Sequence, residues 1–189
     1  MIKCSIIIGS TRQNRKTPTI YDHILKKFKI YNDFQIEIFD IKKYNLPIFD
    51  DVLSYKSDQL FKIIKNNILI SDNFIFISPE YNGGIPGVLK NFLDYFNKEF
   101  NKKPIGIITC SSGYLGGINA SNDLYKYLFH MQAYVSPNRL IIPNINDTKK
   151  IKYSINIQLD TFLDDFVWLA KAVYNYKKYL INQKTKEIF

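Results

Sequence analysis

Cysteine and histidine are almost missing from this 189-residue chain: each occurs twice, as Cys4, Cys110, His23 and His130. Two isolated thiols without a CxxC spacing exclude a disulfide framework and a thiolate metal site. Two scattered imidazoles exclude a histidine metal cluster. Both cysteines lie in apolar, strand-like runs, where a buried, reduced thiol is the expectation. Arginine is scarce as well, present only as Arg12, Arg15 and Arg139. Readers of nucleic acid depend on arginine for bidentate contacts, so its scarcity argues against that class of partner. Long hydrophobic runs are also missing. Met1 leads at once into Lys3-Cys4-Ser5-Ile6-Ile7-Ile8, too short a stretch for a signal peptide or a membrane span. There is no internal repeat, low-complexity tract or Pro/Gly linker. The expectation is a single domain over residues 1–189, cytoplasmic, with no membrane and no nucleic acid as partner.

What is present is ordinary in bulk and unusual in balance. Hydrophobic residues make up 46% and charged residues 23%, as in a globular protein with a core of its own. The formal net charge is +9, from 26 Lys+Arg against 17 Asp+Glu. All but three of the basic residues are lysine, scattered as pairs such as Lys26-Lys27, Lys42-Lys43, Lys102-Lys103 and Lys177-Lys178. Scattered lysine with abundant isoleucine and asparagine reads as AT-rich coding and a solvated surface. The excess also sets up a positive field that favours anionic small molecules.

Short apolar runs alternate with stretches of helical spacing. Strands are expected at Ile2–Ile8, Phe34–Phe39, Phe74–Ile77 and Ile105–Thr109, with a weaker extended run from Tyr134 to Ile142. Helices are expected at Thr19–Phe28, Leu60–Ile70, Val88–Phe96 and Ile118–Met131. A last long helix is expected at Ser154–Tyr179, with Ile155, Leu159, Phe162, Leu163, Phe166, Leu169, Val173 and Tyr176 at helical spacing. Ile188 and Phe189 read as a frayed tail. Such alternation implies an α/β fold with a parallel sheet between two helix layers. Five strands suggest the doubly wound, three-layer flavodoxin-like arrangement. Ligands then bind beyond the carboxyl ends of the strands, near the point where strand order reverses.

The loops after the first, third and fourth strands are the least ordinary parts of the chain. The first reads Gly9-Ser10-Thr11-Arg12-Gln13-Asn14-Arg15-Lys16-Thr17-Pro18. It carries two of the three arginines and opens a helix, so its hydroxyls, guanidinium groups and N–H groups can converge on a phosphate. The plain alternative is a capping turn with incidental basic residues. There is neither a GxGxxG nor a Walker A pattern, which disfavours a dinucleotide Rossmann site or a P-loop. The second loop reads Ser78-Pro79-Glu80-Tyr81-Asn82-Gly83-Gly84-Ile85-Pro86-Gly87. Backbone donors, a central aromatic and the amide of Asn82 suit a flat polar ring; a wide turn with Tyr81 as a core plug is the alternative. The third, Ser111-Ser112-Gly113-Tyr114-Leu115-Gly116-Gly117, either lies against a ring or phosphate or is a flexible connection.

The combination GSTRQNR, SPEYNGGIPGVLKNFLDYF and SSGYLGG in this order resembles the NADPH-dependent FMN reductase family, with its azoreductase, quinone reductase and chromate reductase relatives. The likeness runs to about Arg139, and the second motif is its most specific part. The resemblance implies a flavodoxin-like fold and FMN as cofactor, with NADPH or NADH as cosubstrate. It implies ping-pong delivery of electrons to a quinone, azo compound or similar small acceptor, and a homodimer or homotetramer with the flavin near the interface. Carried over residue by residue, Ser10, Arg12, Arg15 and Thr17 would hold the FMN phosphate. Pro79, Glu80, Tyr81, Asn82 and Gly83 would contact the ring and ribityl chain. Ser111, Gly113 and Gly116 would flank the ring. Glu80 and Lys90 are expected to form a structural ion pair. The chain has Gly84 where the family often has Ser, and Tyr95 where it often has Trp. No general acid or base is nominated, because flavin chemistry needs little from side chains. The other readings are a flavodoxin-like electron carrier and a flavin-binding regulatory module. Carriers are typically acidic, and +9 has the opposite sign.

Overall fold

A computed structural model describes residues 1–50 and 59–186, with side chains for 1–50, 59–147 and 158–183. The strands are β1 (Ile2–Ile8), β2 (Phe34–Asp40), β3 (Asn73–Pro79), β4 (Pro104–Cys110), β5 (Tyr134–Val135) and β6 (Leu140–Ile142). The helices are α1 (Thr17–Phe28), α2 (Gln59–Ile70), α3 (Gly87–Tyr95), α4 (Ile118–His130) and α5 (Thr148–Lys186). Every strand pairing is parallel, and the order is β2-β1-β3-β4-β5 with β6 also on β4. This is the doubly wound arrangement expected from the alternation, and its order reverses between β1 and β3.

The two-residue period of the strands divides the core. Ile6, Ile8, Ile75, Ile77 and Ile108 face α1 and α5, where Ile20, Ile24, Phe28, Leu159, Phe162 and Phe166 meet them. Ile7, Phe74, Phe76, Ile105 and Ile107 face the other way, onto Phe61, Ile64, Leu89, Phe92, Leu124 and Leu128 of α2, α3 and α4. Gly106 lets α5 approach β4, since a Cβ there would stand 2.7 Å from Phe162 Cζ. β3 and β4 are buried along their whole length, as central parallel strands between two helix layers must be.

Two expectations change in detail. The extended run at 134–142 is broken into two short pieces that share one sheet position. Tyr134 and Val135 pair with Pro104 and Ile105, while Leu140–Ile142 pair with Ile108–Cys110. Pro137 stands in the gap and has no N–H to give a ladder. The last helix is longer than expected, 39 residues from Thr148 to Lys186, because no glycine or proline interrupts that stretch. Ile155 is in it, but its side chain lies outside the described residues, as do Ile188 and Phe189. No helix among the described residues is long and apolar enough to cross a membrane.

Candidate functional site

The carboxyl ends of β1, β3 and β4 bring the three unusual loops together around a cleft of about 310 Å³. Its wall includes Ser10, Arg12, Arg15 and Thr17 from the first loop, Pro79, Glu80 and Tyr81 from the second, and Ser111 from the third. Gly9 N–H bonds Ile77 O at 2.9 Å, which locks the start of the first loop onto β3.

Within the first loop the two arginines have different fates. Arg15 forks onto Asp40 at the end of β2, with one N–H···O distance of 2.6 Å, and also donates to the backbone oxygen of Ser10. Asp40 accepts a further bond from Lys42 N–H at 3.1 Å. A bidentate pair of this kind is rigid and charge-balanced, so Arg15 shapes the loop with its charge already matched. Arg12 is exposed, has no acidic partner among the described residues, and lies over the Tyr81 ring at 5.5 Å. It is therefore the arginine of the pair whose charge is open to a ligand.

Beside Arg12, α1 begins without a side-chain cap. Thr19 N–H bonds Lys16 O at 3.1 Å, and Pro18 has no N–H to offer. Thr17 is fully buried and its Oγ1 has no hydrogen-bond partner. An orphaned buried hydroxyl is costly. Here it sits at the positive end of a helix, in the wall of the cleft, where an anion would satisfy both.

The second loop turns tightly. Tyr81 and Gly84 exchange backbone bonds of 2.9 and 3.2 Å. Asn82 and Gly83 between them have φ of 51° and 78°, a turn of the I′ kind that glycine and asparagine allow. The Tyr81 hydroxyl meets Ser10 Oγ at 2.8 Å, joining this loop to the first. Asn82 and Gly83 are exposed at the tip and do not line the cleft. A Cβ at Gly84 would stand 2.8 Å from Asp123 Oδ2. Tyr95 donates to Pro47 O at 3.1 Å and meets the Phe49 ring edge-on at 5.2 Å, pinning the stretch after β2 to α3.

Glu80 does not pair with Lys90. Its carboxylate accepts from Asn119 N–H at 2.9 Å and Ala120 N–H at 3.1 Å, in the first turn of α4. Lys90 instead reaches Asp94 one turn along α3 at 2.5 Å, the nearer carboxylate at i,i+4 spacing.

The third loop is braced by the segment after β6. Ser111 N–H bonds Ile142 O at 3.2 Å, Ile145 N–H bonds Ser111 O at 2.9 Å, and Asn144 N–H bonds Gly113 O at 3.1 Å. Gly116 packs away from the cleft: with φ of 64°, a Cβ there would stand 2.8 Å from Pro143 N. Gly113 is exposed and, like Gly116, is not in the cleft wall. Tyr114 and Leu115 are exposed on this loop. Cys110 does reach the wall, but burial pushes its thiol up to about 12, so it stays protonated and unreactive. No cluster of three metal-ligating side chains occurs among the described residues.

Against this geometry, the family model described as NADPH-dependent FMN reductase matches residues 2–147. The chain belongs to that family. It is an oxidoreductase of the flavodoxin-like FMN reductases, a family that works with FMN and NAD(P)H. It is 27% identical over 181 residues to an NADPH azoreductase of Bacillus sp. (strain OY1-2), covering 91% of this chain and 98% of that one. It is 34% identical over 154 residues to an NAD(P)H-dependent FMN reductase of Nectria sp, covering 76% of each. In fold it is similar to FerB, a flavoenzyme NAD(P)H:(acceptor) oxidoreductase from Paracoccus denitrificans. That TM-score is 0.67 at 23% identity, over 88% of this chain and 97% of that one.

The FMN reductase motifs thus divide in space. Ser10, Arg12, Arg15, Thr17, Pro79, Glu80, Tyr81 and Ser111 converge on the cleft, whereas Asn82, Gly83, Gly113 and Gly116 do not. Sequence reasoning passed over Asn14, Lys16, Ile145 and Asn146, which also line it. The last two had a visible signal: Pro143-Asn144-Ile145-Asn146-Asp147 is a polar turn after the fifth strand position, at the same edge of the sheet.

Proposed function

We propose that this chain binds FMN in the cleft, oxidises NAD(P)H and passes the electrons by a ping-pong cycle to quinones, azo compounds or similar small acceptors. The observation that carries this is the buried Thr17 hydroxyl, left without a partner at the uncapped start of α1. The residues present fit the group: an unpaired hydroxyl, an open helix N-terminus and the unmatched charge of Arg12 suit a phosphate.

FMN, once bound, supplies the two-electron chemistry. Arg12 and Thr17 hold the phosphate. Arg15, tied to Asp40, keeps the first loop in shape around it. Ser10 and Tyr81 join the first two loops, so the phosphate end and the ring end of the cleft are held in one register. Pro79 and Tyr81 contact the ring and ribityl chain and Ser111 forms its far side, while Asn82, Gly83, Gly113 and Gly116 lie outside the cleft wall and shape the turns behind it. One open cleft serves both the reductant and the acceptor, so they would enter in turn. The net charge of +9 favours approach of anionic NAD(P)H and disfavours an acidic-carrier role. The protein would act as a single flavodoxin-like domain in a cytoplasmic homodimer or homotetramer.

The deciding measurement is an absorbance spectrum of purified protein after incubation with FMN, followed by anaerobic titration with NADPH and with NADH. A flavin band that either reductant bleaches is expected. Protein that stays colourless refutes the reading. Parallel double-reciprocal lines with a quinone as acceptor would support the ping-pong order, and intersecting lines would refute it.

A further inference from the structure

Two helices begin at the rim of the cleft, and they begin differently. The start of α4 is fully closed. Ile118 N–H bonds Leu115 O at 3.2 Å, and Ser121 N–H bonds Gly117 O at 3.0 Å. The two donors between them, Asn119 N–H and Ala120 N–H, go to the Glu80 carboxylate. The residue at the N-cap position, Gly117, has no side chain to do this. Asn119 Nδ2 adds a third bond to Glu80 at 3.3 Å. Glu80 is thus a cap supplied from a loop 39 residues away.

The same residue ties the other loops together. Its backbone N–H bonds Cys110 O at 3.0 Å, at the foot of the third loop. Its neighbour Tyr81 carries Arg12 over its ring and meets Ser10 through its hydroxyl. We propose that Glu80 is a positioning residue of the flavin site: it fastens the second loop to α4 and sets a carboxylate in the wall of the cleft. The proposal rests on the reading of the cleft as an FMN site. A carboxylate there opposes the gain of negative charge on reduction, because like charges repel more strongly where water is partly excluded. It therefore keeps the reduction potential of bound FMN low, while the phosphate is left to α1.

The test compares Glu80→Gln and Glu80→Ala with the native protein reconstituted with FMN. Glutamine keeps an acceptor for the α4 donors and removes the charge. The expected result is a rise in midpoint potential in Glu80→Gln. A tenfold gain in relative affinity for the reduced flavin corresponds to about 30 mV for a two-electron couple. Glu80→Ala also loses the cap, and it weakens FMN and riboflavin by the same factor, since riboflavin lacks only the phosphate. An unmoved or lowered potential in Glu80→Gln overturns the proposal, even if the melting temperature falls. So does a loss confined to FMN, which would put Glu80 at the phosphate end. Native protein that binds neither flavin refutes the reading of the cleft itself. Native protein that binds FMN beside an unresponsive Glu80→Gln refutes only the role of Glu80.

Discussion

The two ends of the same parallel sheet treat polar groups in opposite ways. At the amino end, charges are closed off. Lys103 donates to Ile68 O at 2.8 Å and Leu69 O at 2.9 Å, finishing α2, and lies 5.3 Å from the Phe74 ring. Asp72 accepts from Lys3 N–H at 2.8 Å. Ser5 and Ser71 share a bond of 2.7 Å, and Ser71 in turn donates to Asn67 O at 2.8 Å. At the carboxyl end, Arg12 has no acidic partner among the described residues, α1 has no side-chain cap and the Thr17 hydroxyl has no partner. The difference separates the end of the sheet where we propose the phosphate site from the end where these polar groups bond within the protein. Other groups break the pattern: the buried hydroxyls of Thr109 and Ser136 lie outside the cleft wall and have no partner, and the Asn73 amide, fully buried at the start of β3, has no partner on either atom. Unlike Thr17 it does not line the cleft, so its cost has no ligand to offset it.

The sharpest way to break this contrast is Arg12→Ala. Hydrogen bonds to charged groups are worth roughly 1.5–3 kcal/mol, so FMN affinity should fall about 10- to 100-fold while riboflavin affinity holds, both read by flavin fluorescence. An equal loss for both flavins would take Arg12 away from the phosphate. Thr17→Val should cost about 3- to 10-fold in FMN affinity, on the scale of one hydrogen bond. It should leave the urea midpoint unlowered, because the hydroxyl it removes has no partner in the protein.

Asn73→Leu is the matching change at the amino end. Removing an orphaned amide should stabilise the protein by about 1 kcal/mol, visible as a higher urea midpoint, with flavin affinity unchanged. Destabilisation would mean that the amide has a partner in solution.

A pH-dependent effect concerns Lys103, whose pKa is pulled down to about 8, first by burial and then by the charge of Lys177. An unfolded lysine titrates near 10.4. Between those values the unfolded chain binds more protons than the folded one, so this group makes stability rise with pH. The burial penalty is present in full below about pH 8 and fades above it. Relative to Lys103→Met, native protein should therefore gain stability from pH 8 to 10 in urea titrations. Parallel curves would contradict that placement of Lys103.

Much of the carboxyl end is legible in the sequence alone. The buried run ending at Gly9 and the Gly/Pro punctuation after Ile77 and Thr109 mark strand ends, and the sheet rule then puts all three loops on one edge. The first loop singled out Arg12, Arg15 and Thr17, and all three reach the cleft. The amino acid types alone made the two arginines equal. Asp40, 25 positions away from Arg15, makes them unequal. Glycines misled in another way. Gly116 looked like a surface for a ring, yet it serves the close approach of Ile141–Pro143.

By itself the sequence determined the strand and helix alternation, the split of apolar residues between two faces and the identity of the three loops. These follow from local periodicity and from which residues can turn, and neither depends on distant partners. Only the tertiary structure decided which polar groups are used up and which are left open. Glu80 closes α4, Asp40 takes Arg15, and Asp94 takes the lysine that Glu80 was expected to hold. Opposite charges and caps pair over a few ångströms, and several candidates lie within reach along the chain. Parallel register and loop packing choose among them, and that choice leaves Thr17 and Arg12 facing the cleft.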